Sequence, residues 1–300
     1  MAQKDIAEKI LEAYNDVFSD IVNVLLFQGE PVLKEDELED QAPRSAYKAD
    51  GKYREIERDV AKRWKKENIR LACIGLENQT LPDADMPLRL LGYDGAEYRT
   101  QLNDQNHGER YPVVTLVLYF GLDRRWDQPL SLLERLQVPD RFLPYVNDYK
   151  VNLFEIAWLT PEQVKLFRSD FRAVADYFVQ MRMTGTYTGS RQELLHVKET
   201  LSLLSIMTAD YRFGDILQPA KEANGKEIRT MCDALDRIEE KGRSEGRMEG
   251  RMEGRMEGRM EEKKSMAALL HEQGVNIDII ARAANVTADV VAAWLGLQPA

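Results

Sequence analysis

The chain has 300 residues, and its 44% hydrophobic content is sufficient for a buried core in one or two domains. A net charge of −10 argues against a general polyanion-binding protein, although a local basic groove is compatible with it. Two cysteines, Cys73 and Cys232, provide neither a disulfide framework nor a zinc pattern. With no leader and no long apolar run, the sequence predicts a cytoplasmic protein that does not contact a membrane.

The first predicted element is an amphipathic helix from Lys4 to Leu26, in which apolar residues recur at helical spacing. Gly29-Glu30-Pro31 ends this pattern. Residues 34–52 are rich in acids and predict a loop.

A β-hairpin is predicted next, because residues 69–76 are apolar and too short for a typical helix, and a strand-like run precedes a polar turn. With a three-residue turn at 66–68, Asp59 and Glu77 become diagonal neighbours on one face, together with Gln79. A two-residue turn would put the two acids on opposite faces.

Asp59 and Glu77 are the candidate chemical groups of this hairpin. Carboxylate oxygens hold Mg²⁺, and a bound Mg²⁺ polarises a phosphate and lowers the pKa of a water molecule. Two acids at this spacing therefore suit a magnesium-dependent phosphodiesterase. The alternative is that both are solvated acids at strand ends.

Beyond the hairpin, the pattern predicts a helix over residues 87–101 and strands over 111–120 and 149–156. The run at 111–120 is continuously apolar, which is typical of a strand in the middle of a covered sheet. Residues 1–156 thus form an α/β unit, and residues 157–242 form a helical extension.

Residues 243–264 contain the tetrad Arg-Met-Glu-Gly three times in succession from Arg247, followed by Arg-Met-Glu-Glu. Like residues stand four apart, which gives no favourable ion pairs at that spacing, and each glycine costs a helix roughly 1 kcal/mol. A solvated spacer is favoured, with a self-associating helix and a nucleic-acid arm as alternatives.

Residues 265–300 predict a small helical tail that is similar to a helix-turn-helix, with Thr287 able to cap the last helix. The would-be recognition helix has no Arg or Lys, and Asp289 would face the phosphates. A packing or assembly module, which could form a homo-oligomer together with the repeat, is therefore favoured over a DNA reader.

Several short motifs occur in order: Arg58-Asp59, Gly75-Leu76-Glu77-Asn78-Gln79, Met86-Pro87-Leu88-Arg89, Tyr93-Asp94 and Tyr98. Supporting segments are Phe18-Ser19-Asp20-Ile21-Val22-Asn23, residues 116–120, Trp126 and the repeat. Each is weak alone, but in this order they cover most of the chain. Together they resemble the Rpn family, the recombination-promoting nucleases or putative transposases of the PD-(D/E)xK superfamily.

The resemblance implies an α/β, restriction-endonuclease-like fold, with a central mixed sheet flanked by helices. It also implies a metal-dependent DNA endonuclease linked to recombination, mobile elements or defence, with Asp59 and Glu77 binding Mg²⁺ or Mn²⁺. Gln79 stands at the superfamily's usual lysine position; it can orient a water molecule but carries no positive charge. The alternative function is a catalytically inactive, oligomeric interaction protein that keeps the nuclease fold.

Three further residues have two interpretations each. Asp20 is a candidate accessory acid that orients the site, or else a helix cap or a solvated acid. Arg89 and Tyr93 share a helix face and are candidate DNA phosphate contacts. Alternatively, Arg89 forms a salt bridge with Asp94 or Glu97, and Tyr93 belongs to the core.

Overall fold

The computed structural model describes residues 11–41, 44–49, 52–57, 59–66, 69–103, 109–217 and 227–297. Its contacts define two units, Met1–Asp236 and Arg237–Ala300. Within the described ranges, every helix is too short or too polar to cross a membrane.

The first unit is built on a mixed sheet of five strands, in the order β1-β4-β5-β6-β7. The strands of the unit are β1 (Leu38–Asp40), β2 (Arg44–Ala49), β3 (Lys52–Glu57), β4 (Val60–Lys66), β5 (Ile69–Gln79), β6 (Val113–Tyr119) and β7 (Asn152–Glu155). Strands β1, β4 and β5 pair antiparallel, whereas β5, β6 and β7 pair parallel. Strands β2 and β3 form a separate antiparallel pair.

Helices flank this sheet and continue the chain after it. Those of the first unit are α1 (Asn15–Phe27), α2 (Met86–Asn103), α3 (Leu132–Arg135), α4 (Pro161–Val164), α5 (Phe171–Thr184), α6 (Val197–Thr208) and α7 (Arg212–Asp215). Three 3₁₀ turns lie at Glu35–Glu37, Leu143–Tyr145 and Ile156–Trp158. The α/β class with a central mixed sheet is confirmed, as is the helical region that follows it, and both are consistent with a restriction-endonuclease-like fold.

Strand β6 lies inside the sheet, between β5 and β7, as its continuous apolar run predicts. Leu116, Val117 and Leu118 are fully buried. Helix α2 packs over this strand through a cluster that contains Met86 and Leu90. This packing fixes the first turns of α2 beside the end of β5.

The single N-terminal helix predicted from residue 4 to residue 26 is wrong where the structure describes it. Residues 11 and 12 are helical, but the chain turns at residues 13–14, and α1 begins at Asn15. Tyr14 has an extended backbone, and the Asn15 amide donates to the carbonyls of Glu35 and Leu38. These tertiary hydrogen bonds override the helical periodicity. Residues 4–10 lie outside the described residues.

The second unit contains most of a 42-residue helix, α8 (Met231–Glu272), followed by α9 (Ile277–Ala284) and α10 (Ala288–Trp294). Helix α8 passes without interruption through the predicted boundaries at 242/243 and 264/265. Its last turns pack with α9 and α10 around Ala267, Ile280 and Val291. Thr287 occupies the N-cap position of α10, although its side chain makes no capping hydrogen bond to the described residues.

Candidate active site

The pairing of β4 with β5 brings Asp59 to the level of Glu77. Val60 pairs with Leu76 at the end of the ladder, so the next position of the same register sets Asp59 opposite Glu77. Directly opposed residues of antiparallel strands share a face, with Cβ atoms about 4.5–5.5 Å apart. This register puts the two acids on the same face at one end of the hairpin.

The hairpin reaches this register by a route that differs from the predicted one. Lys66 pairs with Ile69, so two residues, and not three, separate the paired positions. A two-residue turn alone would place the acids on opposite faces, but the register shifts by one residue between Trp64 and Lys65. This β-bulge restores the shared face. The predicted turn length and diagonal placement are wrong, and a bulge that sequence reasoning missed brings the acids together.

Asn78, on β5, connects Asp59 to a third acid. Its backbone N–H donates to Asp59 Oδ2 at 2.6 Å, and its side-chain amide donates to Glu12 Oε2 at 2.7 Å. Glu12 is fully buried. The sequence analysis did not identify Glu12 as a candidate. The available signal was its position directly after Leu11, an apolar residue of the predicted helix that is buried in the core.

Glu77 is buried, with 2% of its surface exposed, and two side chains donate to its Oε1 atom. One is the amide of Gln79, at 3.1 Å, two residues along the same strand face. The other is the guanidinium of Arg89, from the first turn of α2. The neutral Gln79 and the cationic Arg89 thus converge on one carboxylate.

Arg89 also reaches two neighbours on its own side of the site. It donates to Asp83 Oδ2 at 2.9 Å and to the Tyr93 hydroxyl at 3.2 Å, one helical turn further along α2. Asp83 was missed as a site residue, although Pro82-Asp83 is a turn signal just before the helix.

The charges of these groups depend on one another. Burial by itself lowers the pKa of Arg89, but the charge of Glu77 and the hydrogen bond to Asp83 outweigh it and hold that pKa above its usual range. Burial and the nearby charge of Glu77 raise the pKa of Tyr93 despite Arg89, and Asp59 adds to the effect. Arg89 is therefore a permanent cation beside a neutral phenol.

Residues 68–187 match a family model described as "Putative transposase, YhgA-like". This part of the chain is similar to the YhgA-like putative transposases. The match includes Glu77, Gln79, Arg89 and Tyr93 and begins after Asp59. Comparisons with curated proteins and with solved structures gave no match.

Asp20 lies apart from the contacts that join the other predicted site residues. In the described structure its Oδ2 atom accepts hydrogen bonds from the backbone N–H groups of Arg168 and Ser169, at 2.8 and 2.7 Å. It therefore holds the loop before α5, which favours a capping role for Asp20 over the role of accessory acid. Glu12, by contrast, is linked to Asp59 through Asn78.

The alternative partners considered for Arg89 are engaged elsewhere. Asp94 accepts hydrogen bonds from Thr115, at 2.7 Å, and from Tyr149. Glu97 accepts from the Tyr111 hydroxyl at 3.1 Å. Arg89 instead contacts Glu77 in the candidate site.

The carboxylates of Asp59 and Glu77 fit a magnesium or manganese ion by their chemistry. Mg²⁺ in proteins is commonly held by one or two carboxylates and completes its shell with water and substrate phosphate. The described residues contain no group of three or more His, Cys, Asp or Glu side chains arranged around a common point. Two carboxylates, of which Glu77 already accepts from Gln79 and Arg89, would leave most of the coordination of such an ion to water and phosphate oxygens.

Proposed function

We propose that the protein is a metal-dependent DNA endonuclease linked to recombination, mobile elements or defence. The match of residues 68–187 to the YhgA-like putative transposases supports a nuclease-like role in mobile elements. The observation that carries the proposal is the bulged hairpin, which sets Asp59 opposite Glu77 beside the Arg89 cation.

In this proposal Asp59 and Glu77 hold Mg²⁺, or Mn²⁺ in its place. When bound, the ion polarises the scissile phosphate and lowers the pKa of a water molecule. Glu12 acts as a positioning residue, because the strand segment around Asn78 that it anchors also fixes Asp59.

Gln79 and Arg89 together take the two roles of the usual superfamily lysine, which are to orient the water molecule and to supply positive charge. The Gln79 amide can donate to and accept from a water molecule, which orients it but supplies no charge. Arg89 supplies the positive charge: its guanidinium has several donors and binds phosphate in a bidentate manner. Because it already contacts Glu77, a small side-chain movement would bring it to a phosphate oxygen beside that carboxylate.

Tyr93 completes the phosphate-binding side of the site. Its neutral hydroxyl accepts a hydrogen bond from Arg89 and keeps its own proton available for donation. Arg89 and Tyr93 together would then fix the DNA backbone relative to the two acids.

A second candidate is a catalytically inactive, nuclease-fold interaction protein that forms oligomers. The Arg89–Glu77 ion pair favours it, because the buried carboxylate already has a cationic partner within the protein. This candidate predicts neither cleavage nor metal affinity.

The test is nicking of supercoiled plasmid DNA by the full chain, with Mg²⁺ or Mn²⁺, together with a calorimetric titration of Mn²⁺. Asp59→Asn and Glu77→Gln should each lower cleavage by roughly 100-fold or more and weaken Mn²⁺ binding. Asp140→Asn, which changes an exposed acid, is the matched control and should behave as the wild type. Cleavage that survives both site substitutions would reject the site. Absence of both cleavage and Mn²⁺ binding in the wild type would favour the second candidate.

A further inference from the structure

The repeat forms one continuous helical stretch within α8, and its methionine side chains are exposed to solvent. Met248, Met252, Met256 and Met260 have exposed fractions of 59%, 65%, 65% and 47%. They recur every four residues on a helix in which each residue advances by about 100°. The result is an apolar stripe that winds slowly around the helix, by about 40° per tetrad.

The charges of the tetrad flank this stripe on its two sides. Each Arg precedes a Met and each Glu follows one, so the Arg side chains lie about 100° to one side of the stripe and the Glu side chains about 100° to the other. The glycines lie on nearly the opposite side of the helix, where a Cβ atom at Gly250, Gly254 or Gly258 would meet nothing within 4 Å. The Met stripe is therefore a narrow apolar strip between a basic border and an acidic border.

The isolated helix leaves these borders without ion pairs. Residues four apart are identical in charge, and like charges at that spacing repel. Arg243 pairs with Glu239 and Lys264 with Glu261, but no ion pair joins two residues between Arg247 and Met260, all of which the structure describes. Both borders and the stripe between them thus lack a partner over the same length of α8.

We infer that this stretch, residues 247–261, packs in parallel against the same stretch of a second copy of the chain. When two identical parallel helices are related by a two-fold axis, the border on one side of the first stripe faces the border on the other side of the second stripe. The Arg border of each copy then faces the Glu border of its partner, on both sides of the Met contact. An antiparallel arrangement would set Arg against Arg and Glu against Glu, so charge complementarity selects the parallel one.

The spacing of the methionines also determines how the helices cross. Rows of side chains four residues apart form ridges, and ridges of this kind interdigitate when two helices cross at about −50°. The contact is therefore centred on Met252 and Met256, where the facing Arg and Glu borders lie closest, and the two helices separate toward both ends of the stretch. A polyanion such as DNA is a poor occupant, because each Arg of the stretch is matched by a Glu.

The first test measures the mass of the full chain by analytical ultracentrifugation over a range of concentrations. The wild type should dimerise, and replacement of all four stripe methionines by Gln, which keeps helix propensity, should weaken the dimer at least 10-fold. Met183→Gln, an exposed methionine outside the repeat, is the control and should leave the dimer intact. A monomeric wild type, an unchanged dimer in the four-Gln variant, or association only on addition of DNA would overturn the inference.

The second test gives the two borders of the stripe the same charge. A variant with Glu at the four Arg positions and a variant with Arg at the four Glu positions should each be monomeric, because both borders then carry one charge. The positions are Arg247, Arg251, Arg255 and Arg259, and Glu249, Glu253, Glu257 and Glu261. Mixing the two variants should restore a dimer of one copy of each. A mixture that stays monomeric would overturn the role of the borders.

The third test determines direction by disulfide trapping in a Cys232→Ser background. In a parallel pair, Met252→Cys should cross-link to itself, and so should Met256→Cys. In an antiparallel pair, the cross-link would form mainly between the two variants when they are mixed. Preference for that mixed cross-link would overturn the parallel arrangement.

Discussion

Asp59 accepts a hydrogen bond from the backbone N–H of Asn78, at 2.6 Å, while the side chain of the same Asn78 donates to the buried Glu12. One residue of β5 thus holds a proposed metal ligand through its backbone and a buried acid through its side chain. The two connections can be separated by mutation, because only the hydrogen bond to Glu12 depends on the side-chain amide of Asn78.

Asn78→Ala should therefore destabilise the fold while it keeps the backbone hydrogen bond to Asp59. Glu12 is fully buried and loses a donor, and removing one partner of a buried hydrogen bond costs about 1–3 kcal/mol. Urea denaturation of Asn78→Ala, with the exposed Asn103→Ala as control, measures this loss. Adding Glu12→Met to Asn78→Ala should recover much of it, since both polar partners are then removed. A double variant no more stable than Asn78→Ala would contradict the coupling.

Asp20 gives a contrasting case, because its carboxylate holds a loop rather than the site. Asp20→Ala removes the acceptor of two backbone N–H groups, those of Arg168 and Ser169. We expect a loss of about 1–2 kcal/mol in unfolding free energy, comparable to loss of a helix cap. DNA cleavage per folded molecule should stay unchanged at a temperature where the variant is folded. A selective loss of cleavage would return Asp20 to the role of accessory acid.

The sequence predicted most of the sheet and half of the site because those features depend on local patterns. The apolar run of β6 and the helical spacing of α2 are strong signals, and the spacing by itself places Arg89 and Tyr93 one turn apart. Glu77 and Gln79 share a face because strands alternate. For these four residues, knowing whether the segment is a helix or a strand was nearly enough to predict which side chains share a face.

The remaining features depend on contacts between distant segments, which a single sequence does not reveal. The bulge between Trp64 and Lys65 is a property of strand pairing, and it decides the face of Asp59. The turn before Asn15 arises from hydrogen bonds to the segment around Glu35. Asp20 differs from Glu12 only in where tertiary packing carries each acid. Periodicity alone therefore does not tell which of these two acids is linked to Asp59.

Asp83 gives a prediction for pH. Burial raises its pKa, but the hydrogen bonds from Arg89 and from the backbone N–H of Asp85, together with the charges of Arg89 and Arg135, outweigh burial and hold the Asp83 pKa below its usual value. A carboxylate whose folded pKa is depressed stabilises the fold above its unfolded pKa, about 3.9, and this stabilisation disappears as the pH falls through the folded pKa. Asp83→Asn should thus be less stable than the wild type at neutral pH, and the difference should vanish in acid.

Urea denaturation of both proteins from neutral to acidic pH tests this prediction. Asp140→Asn serves as the control, since its difference from the wild type should stay flat with pH. In an Arg89→Met background the effect of Asp83→Asn at neutral pH should become smaller, because Arg89 no longer lowers the pKa, while the backbone N–H of Asp85 and the charge of Arg135 still do. An Asp83→Asn difference that grows toward acidic pH would have the opposite sign and reject the Arg89 pairing.

The glycines of the repeat provide the last prediction. A Cβ atom at Gly250, Gly254 or Gly258 would meet nothing within 4 Å, and all three have helical neighbours on both sides. Gly in the middle of a helix is less favourable than Ala by about 0.5–1 kcal/mol, so the triple Gly→Ala variant should raise the melting temperature of α8. Far-UV circular dichroism of the full chain during heating measures the change.

Gly185→Ala is the matched control, because it also has open space around it but adopts φ +70° at the end of α5. The same substitution should destabilise there, since Ala is strained in the left-handed region. The triple variant should also dimerise as well as the wild type, because the glycines lie away from the Met stripe. Loss of the dimer in the triple variant, with the helix intact, would mean that close packing of the glycine face, and not of the methionines, joins the two copies.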